Sequence, residues 1–200
     1  MKKLLLFLIL ICSGLSAIGK EVYAVITVKN DPETVGVNRV ITYYYDDNYS
    51  TRDGVKFKSS NFGKWTEYDY YNFDEYEFGI TSIVIDSSMA AARPTSTANW
   101  FSNTHARTIT GLDYLNTSQV TNMRYMFRNS VSLSALDLRT FDTQKVTNMS
   151  YMFSGCNGLK SVNLSTFDTS KVTNMSHTFD GCNNLSSIDM SCINACSATN

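Results

Sequence analysis

The stretch FDTQKVTNMSYMF at residues 141–153 sets the period of the chain. It returns as FDTSKVTNMSHTF at residues 167–179 and is preceded by LNTSQVTNMRYMF at residues 115–127, which gives an offset of 26 residues. A fainter copy occupies residues 89–101, where Trp100-Phe101 stands at the position of Met126-Phe127. A fixed period of about 20–50 residues is typical of repeat proteins, in which equivalent segments stack on one another.

A shorter apolar pattern lies between these copies. Its form, apolar-x-x-apolar-x-apolar, is that of the strand in a leucine-rich repeat. It occurs at Ile80/Ile83/Ile85, Ile109/Leu112/Tyr114, Leu133/Leu136/Leu138, Leu159/Val162/Leu164 and Leu185/Ile188/Met190. The sequence therefore predicts a repeat solenoid of leucine-rich type, with about five turns of strand plus short helix and an N-terminal β-hairpin cap.

The pattern also predicts which side chains face the core of each turn. Leu159, Val162 and Leu164 are expected to point inward, and stacking at about 4.8 Å would join equivalent residues into columns. Residues 145–153 are predicted to form a short helix or 3₁₀ turn. Thr147 or Asn148 would accept a hydrogen bond from a free amide at its start.

The N-terminus has the features of an export signal. A short basic start at Lys2-Lys3 is followed by an apolar run over residues 4–11 that is too short to span a bilayer. Cleavage is predicted after Gly19, with Ala17 as the fallback site, and a lipid anchor at Cys12 is the alternative. We predict a signal peptide at 1–19, a β-rich cap at 20–79, and a leucine-rich-repeat solenoid at 80–200 with an incomplete last turn.

The region before the repeats is rich in β-branched and aromatic residues. Residues 22–28 and 39–45 predict a β-hairpin with a long loop, and residues 55–58 predict a short third strand. Residues 65–78 alternate aromatic and acidic side chains. This stretch is expected to cover the end of the solenoid, and an aromatic binding patch is the alternative.

Composition and charge exclude several classes of protein. Hydrophobic residues make up 43% of the chain, and the formal charge is −1. This balance is typical of a globular protein and gives no electrostatic reason to expect a nucleic acid partner. Beyond the leader, no stretch is apolar enough to predict a transmembrane segment.

The sequence offers no catalytic constellation. His177 occupies the position of Tyr125 and Tyr151 in other copies, and His105 has no acidic or cysteine companion at ligand spacing. Phosphate-binding loops and nucleophile motifs are missing from the sequence. We therefore predict that the chain is not an enzyme and uses no cofactor or metal.

Cysteine spacing leaves two interpretations open. Cys156 and Cys182 are 26 residues apart and should stack, which is compatible with a disulfide in an exported protein. Ser130 and Thr104 stand at the same position in earlier copies, which favours small buried side chains instead. Cys192 and Cys196 could pair locally, and a zinc site there is not expected.

An outward-facing polar column is predicted on the strand face. Its members are Asp113, Asp137, Asn163 and Asp189. Concave faces of solenoids bind partners, so this column is a candidate ligand-facing ladder. The alternative is that these side chains solvate the sheet and bond neighbouring turns.

The chain resembles the BspA-like leucine-rich-repeat surface proteins of bacteria. The resemblance rests on the sequence Phe-Asp-Thr-x-Lys-Val-Thr-Asn-Met-Ser at 141–150 and 167–176, on residues 151–156, and on the lead-in at residues 80–97. It implies an exported, surface-associated protein that binds host or neighbouring-cell proteins and has no catalytic residues.

We accordingly expect an exported protein-binding module of the adhesion type, either secreted or held at the cell surface. A glycan ligand is also considered, because exposed aromatics near Trp65 would suit sugar stacking. The alternative is a truncated or structural fragment of a longer surface protein, without a ligand site of its own.

Overall fold

The computed structural model describes residues 21–30, 37–48, 50–58 and 80–189. Its strands are β1 (Glu21–Asn30), β2 (Val37–Asp46), β3 (Val55–Lys58), β4 (Ile80–Ile85), β5 (Thr108–Thr110), β6 (Ala135–Asp137), β7 (Ser161–Asn163) and β8 (Ser187–Asp189). Two 3₁₀ helices, η1 (Ser87–Ala91) and η2 (Leu112–Tyr114), follow β4 and β5. Strands are therefore the main regular elements of the described part of the chain, and its helical segments are two short 3₁₀ helices.

A five-stranded sheet in the order β3-β1-β2-β4-β5 forms the N-terminal part. β1 pairs antiparallel with β2 and with β3, as the β-branched and aromatic runs predict. β4 then pairs in parallel with β2 on one side and with β5 on the other. The hairpin is thus the middle of a sheet that continues through β5.

A separate three-stranded parallel sheet, β6-β7-β8, follows. Its register places Leu136 opposite Val162 and Val162 opposite Ile188. On another side of the molecule, single parallel bridges join Ser96, Asn122, Asn148 and Asn174. Residues 26 apart in the sequence are therefore neighbours in space in both places.

The prediction of a leucine-rich-repeat solenoid is wrong. Its five strands do not form one sheet, because the chain after β5 enters η2 instead of extending to Tyr114. The 3₁₀ turn at η2 begins after Gly111, whose backbone is left-handed. The hairpin is not a separate cap either, since β2 shares a sheet with β4.

Residues 145–153 form turns, so of the predicted short helix or 3₁₀ turn it is the helix that is wrong. In an α-helix each amide bonds to the carbonyl four residues earlier. Here the amides of Met149, Tyr151 and Phe153 donate to carbonyls 25 residues later in the chain, at 2.9, 2.9 and 2.9 Å. The intervening amide of Met152 instead bonds three residues back, to Met149. Alternate amides thus connect neighbouring segments, which leaves too few for a helix.

The repeated spacing of the polar residues in the motif matches these same connections. Thr143 Oγ1 donates to the carbonyl of Asp168 at 3.0 Å and accepts from the Asp168 amide at 2.8 Å. Thr147 Oγ1 donates to the carbonyl of Thr121 at 3.1 Å. The Oδ1 atom of Asn148 accepts from the amide of Ser150, two residues on, in an Asx turn. The motif therefore encodes contacts between segments as well as local turns.

The core is one continuous apolar cluster shared by both sheets. Leu159, Val162 and Leu164 are buried in it, as the strand pattern predicts. At its centre, the rings of Phe101, Phe127, Phe153 and Phe179 follow one another with centroids 5.3, 5.5 and 5.2 Å apart. This column supplies a large share of the buried surface, because each aromatic side chain buries roughly 150–250 Å².

Several sequence predictions lie outside the described residues. They are the signal peptide at 1–19, the aromatic stretch at 65–78, Cys12, Cys192 and Cys196, and the incomplete last turn. The division into three domains stays a prediction.

Candidate functional site

A column of aromatic side chains is formed by equivalent turns of successive segments. Tyr125, Tyr151 and His177 occupy equivalent positions in successive segments, and their ring centroids are 5.1 and 4.7 Å apart. Tyr125 and Tyr151 are partly exposed, and His177 is exposed. We call these three residues the aromatic column.

The backbone of the aromatic column is unusual for its side chains. Tyr125, Tyr151 and His177 have φ angles of 61°, 58° and 55°, in the left-handed region. That region costs roughly 1–2 kcal/mol for most residues, whereas Asn adopts it readily. The equivalent position one segment earlier is Asn99, with a φ of 63°. The fold thus accepts Asn at position 99, a residue that suits this conformation, whereas the next three segments have an aromatic ring at the equivalent position.

Ring stacking determines which parts of the aromatic column can touch a ligand. Tyr151 lies between Tyr125, whose ring is tilted by 44° to its own, and His177, which stacks on one of its faces. Its interplanar angle with His177 is 14°. Sugars bind aromatic side chains through exposed ring faces, so the middle of this column is a poor sugar platform. Ring edges and polar tips are what the column presents to solvent.

Two arginines flank the first ring. The Cζ atoms of Arg124 and Arg128 lie 4.3 and 5.1 Å from the centroid of Tyr125. Arg124 Nη2 also donates to the Tyr125 hydroxyl at 2.6 Å. At the far end of the column, His177 Nδ1 is 3.8 Å from Asp180. The column therefore has a cationic end and an end with an acidic neighbour.

The predicted ligand-facing ladder is only partly assembled. Asp137, Asn163 and Asp189 lie opposite one another in β6, β7 and β8. Asp113 belongs to η2, outside this sheet. Oδ1 of Asp137 accepts from the amide of Arg139 at 3.2 Å, and Oδ1 of Asn163 accepts from the amide of Ser165 at 3.1 Å. These oxygens are thus engaged in turns, and ligand binding by the ladder stays a prediction.

A shallow cleft of about 400 Å³ lies between β5 and β6, where the two sheets separate. Asp113 and Asp137 line its rim, and Ile109, Leu112 and Leu136 contribute apolar surface. Arg139 holds Asp137 at 2.6 Å, and its hydrogen bonds lower the pKa of that carboxyl. The carboxylate of Asp137 is therefore already paired with a cation.

The two stacked cysteines are free thiols in the structure. Cys156 Sγ donates to the carbonyl of Phe127 at 2.9 Å, and Cys182 Sγ donates to that of Phe153 at 3.0 Å. One segment earlier, Ser130 Oγ makes the equivalent bond to Phe101 at 2.6 Å. The column thus places one small hydrogen-bond donor in each segment, and burial raises the pKa of Cys156 to about 12.

Replacing Cys156 by Ser is expected to make the protein less sensitive to alkali. A thiol whose pKa is about 12 in the folded state and close to 9 when unfolded stabilises the fold fully below pH 9. This contribution falls as the pH rises from 9 towards 12, by roughly 2 kcal/mol at pH 10.5. Urea unfolding of both proteins at pH 7.5 and pH 10.5, under reducing conditions, measures the difference.

Near pH 7.5 the Cys156→Ser variant should match the parent closely, because Ser130 shows that a hydroxyl serves at this position. Loss of stability between the two pH values should be smaller in the variant. An equal loss in both proteins would contradict the assigned role of the thiol.

The remaining histidine gives no sign of a reactive site. His105 is exposed, and within residues 21–30, 37–48, 50–58 and 80–189 no group of three or more His, Cys, Asp or Glu side chains could hold a metal ion. Within the described residues, none of the helices reaches the length and hydrophobicity of a membrane-spanning segment.

The sequence analysis aligned the three members of the aromatic column but did not select them as a candidate site. The alignment of His177 with Tyr125 and Tyr151 was visible in the repeat. Their left-handed backbone was not, because Tyr ordinarily avoids that conformation. The arginines at 124 and 128 depart from the serines that occupy equivalent positions at 150 and 154. This difference between segments is the sequence feature that could have drawn attention to the column.

Comparison with curated proteins and with solved structures finds no match. A family model described as "Mycoplasma protein of unknown function, DUF285" matches residues 95–199. The match includes the aromatic column, the phenylalanine column from Phe101 onward and the three-stranded sheet. The chain therefore belongs to the DUF285 family.

Proposed function

We propose that the chain is an exported protein-binding module of the cell surface and that it contacts its partner through the aromatic column. The single observation that carries this proposal is the left-handed backbone at Tyr125, Tyr151 and His177. Strained residues persist where function selects them. Asn99 is the better fit to this backbone, so the rings are explained by what they contact outside the chain.

The chemistry of the column favours a protein partner. Tyr is enriched in protein interfaces because it combines apolar area with a polar tip and few rotatable bonds. Stacking between Tyr151 and His177 covers ring faces that a sugar would use, whereas ring edges and hydroxyls are left for contact. A protein surface can engage edges, hydroxyls and the flanking arginines together.

Family membership and sequence resemblance support the same role. DUF285 membership is compatible with a surface protein. The resemblance to BspA-like surface proteins, together with the export signal predicted at 1–19, supports placing the protein outside the cell. Binding of this kind requires no catalytic residue and no cofactor.

The test uses a triple variant whose design comes from the chain itself. Tyr125, Tyr151 and His177 are each replaced by Asn, the residue at position 99 of the same column. Fluorescently labelled protein is then bound to cultured epithelial cells that were untreated, treated with trypsin or treated with periodate. A matched control replaces Tyr114 by Asn, because Tyr114 is a 40% exposed ring outside the column.

We expect saturable binding of the parent protein and of the Tyr114→Asn control, a loss of about tenfold or more in the triple variant, and sensitivity to trypsin. Undiminished binding by the triple variant would show that another surface is used. Loss after periodate but not after trypsin would indicate a glycan ligand. Failure of the folded parent protein to bind would favour a structural fragment without its own ligand site.

A further inference from the structure

The two arginines beside Tyr125 carry an inference about the partner, which rests on the proposed function. Arg124 and Arg128 are exposed, and both guanidinium groups lie within about 5 Å of one ring centroid. Among the described residues, no carboxylate lies within ion-pair distance of either group. The Tyr125 ring thus has two cations beside it that have no carboxylate partner among the described residues.

Comparison of equivalent positions shows that the fold does not require these cations. Position 124 corresponds to Ala98, Ser150 and Ser176 in the other segments, and position 128 corresponds to Ser102, Ser154 and Asp180. The segments at 98–102 and 150–154 make the same backbone connections to the following segment as the segment at 124–128 does. For example, Phe101 and Phe127 both donate to the segment that follows, at 2.8 Å in each case. The arginines thus belong to this segment alone, and the segments at 98–102 and 150–154 make their connections without a cation at these positions.

The contacts also limit how the guanidinium groups can move. Stacking over Tyr125 and the 2.6 Å hydrogen bond from Arg124 to its hydroxyl orient both side chains. Each guanidinium has five donors in a rigid fork, and the described residues use one donor of Arg124. The remaining donors can bind a carboxylate in the bidentate geometry that arginine favours.

We propose that Arg124 and Arg128 form a carboxylate-binding site for an acidic peptide segment of the partner protein. Such a segment would place a carboxylate between the two guanidinium groups and lie along the ring edges of Tyr125 and Tyr151. Sulfated polysaccharides are a poorer match, because they bind extended basic surfaces and this chain has a formal charge of −1. At the other end of the aromatic column, Asp180 places a negative charge beside His177.

The test measures binding of a fluorescein-labelled dodecamer of glutamate by fluorescence anisotropy, in low salt and at physiological ionic strength. The key variant is Arg124→Ser/Arg128→Ser, which copies the residues at 150 and 154. Its charge-matched control is Arg107→Ser/Lys160→Ser, which removes two exposed cations elsewhere. A lysine-substituted variant, Arg124→Lys/Arg128→Lys, keeps the charge and removes the planar fork.

We expect the arginine-to-serine variant to bind about tenfold or more weakly, the charge-matched control to stay within about twofold, and the lysine variant to be intermediate. Binding should weaken as salt is added. Equal losses in the serine variant and its charge-matched control would reduce the effect to net charge and overturn the site. Binding of heparin with no binding of the glutamate dodecamer would overturn the peptide assignment.

The cell-binding experiment separates this inference from the proposed function. If the parent protein binds cells and the triple Asn variant does not, but the arginine-to-serine variant binds cells as well as the parent, the carboxylate site is wrong and the binding module stands. If the parent binds the glutamate dodecamer but no cells, the site stands and the surface role is wrong.

Discussion

Replacing Phe153 by alanine is expected to lower the free energy of unfolding by about 3–5 kcal/mol. Its ring is fully buried and stacks between Phe127 and Phe179, with centroids 5.5 and 5.2 Å away. Truncation would open a cavity in the middle of a rigid column and remove two ring contacts. Urea unfolding monitored by circular dichroism measures the loss.

Phe179→Ala is the matched control for this prediction. Phe179 belongs to the same column but is only partly buried, packing against the edge of the core. A loss of about 1–2 kcal/mol is expected there, because less apolar surface leaves water on folding. Equal losses of stability at the two positions would show that the contribution of each ring does not follow its burial.

Gly111→Ala is expected to cost about 2–4 kcal/mol, because two effects act together. The residue has a φ of 77°, and an added Cβ would lie 2.2 Å from the carbonyl oxygen of Ile85, which is a backbone atom. Gly111 stands where β5 ends and η2 begins. Relief of the clash would therefore require the five-stranded sheet to shift against η2.

Gly181→Ala separates the two effects. Its φ is 71°, so the conformational strain is similar, but an added Cβ would meet its nearest atom at 3.4 Å. This variant should lose only about 1–2 kcal/mol. The difference in stability loss between the two variants measures the cost of the close approach of Gly111 to the carbonyl oxygen of Ile85. Equal losses in the two variants would contradict this close approach.

The sequence predicted the core better than it predicted the backbone. The strand pattern correctly placed Leu159, Val162 and Leu164 inside, because burial follows directly from apolar spacing. It also placed three N-terminal strands within a few residues of β1, β2 and β3. These features depend on local composition, which a single chain displays.

The predicted helices failed for a physical reason that begins at Asn148. Its side chain accepts a hydrogen bond from the amide of Ser150, which is also how an N-cap residue begins a helix. The chain then turns left-handed at Tyr151, which ends any helix at once. Nothing in a tyrosine indicates that conformation. The hydrogen bonds that enforce it reach residues 25 positions away.

The division of the strands into two sheets could not be predicted from the sequence either. The apolar residues at 109, 112 and 114 matched the strand pattern. The structure forms η2 there, and Tyr114 is 40% exposed. Asp113 lies outside the predicted ladder for the same reason, because it belongs to η2 and not to a strand. Local pattern could not distinguish a strand from a single 3₁₀ turn flanked by apolar residues.

The central claim is that the aromatic column is kept for binding and not for folding. Its most direct test is the free energy of unfolding of the triple variant Tyr125→Asn/Tyr151→Asn/His177→Asn. Lost ring contacts of about 0.5–1.5 kcal/mol per pair should be offset by relief of left-handed strain, so stability should stay within about 1 kcal/mol of the parent. A loss of about 3 kcal/mol or more would show that the rings are structural and would contradict the claim.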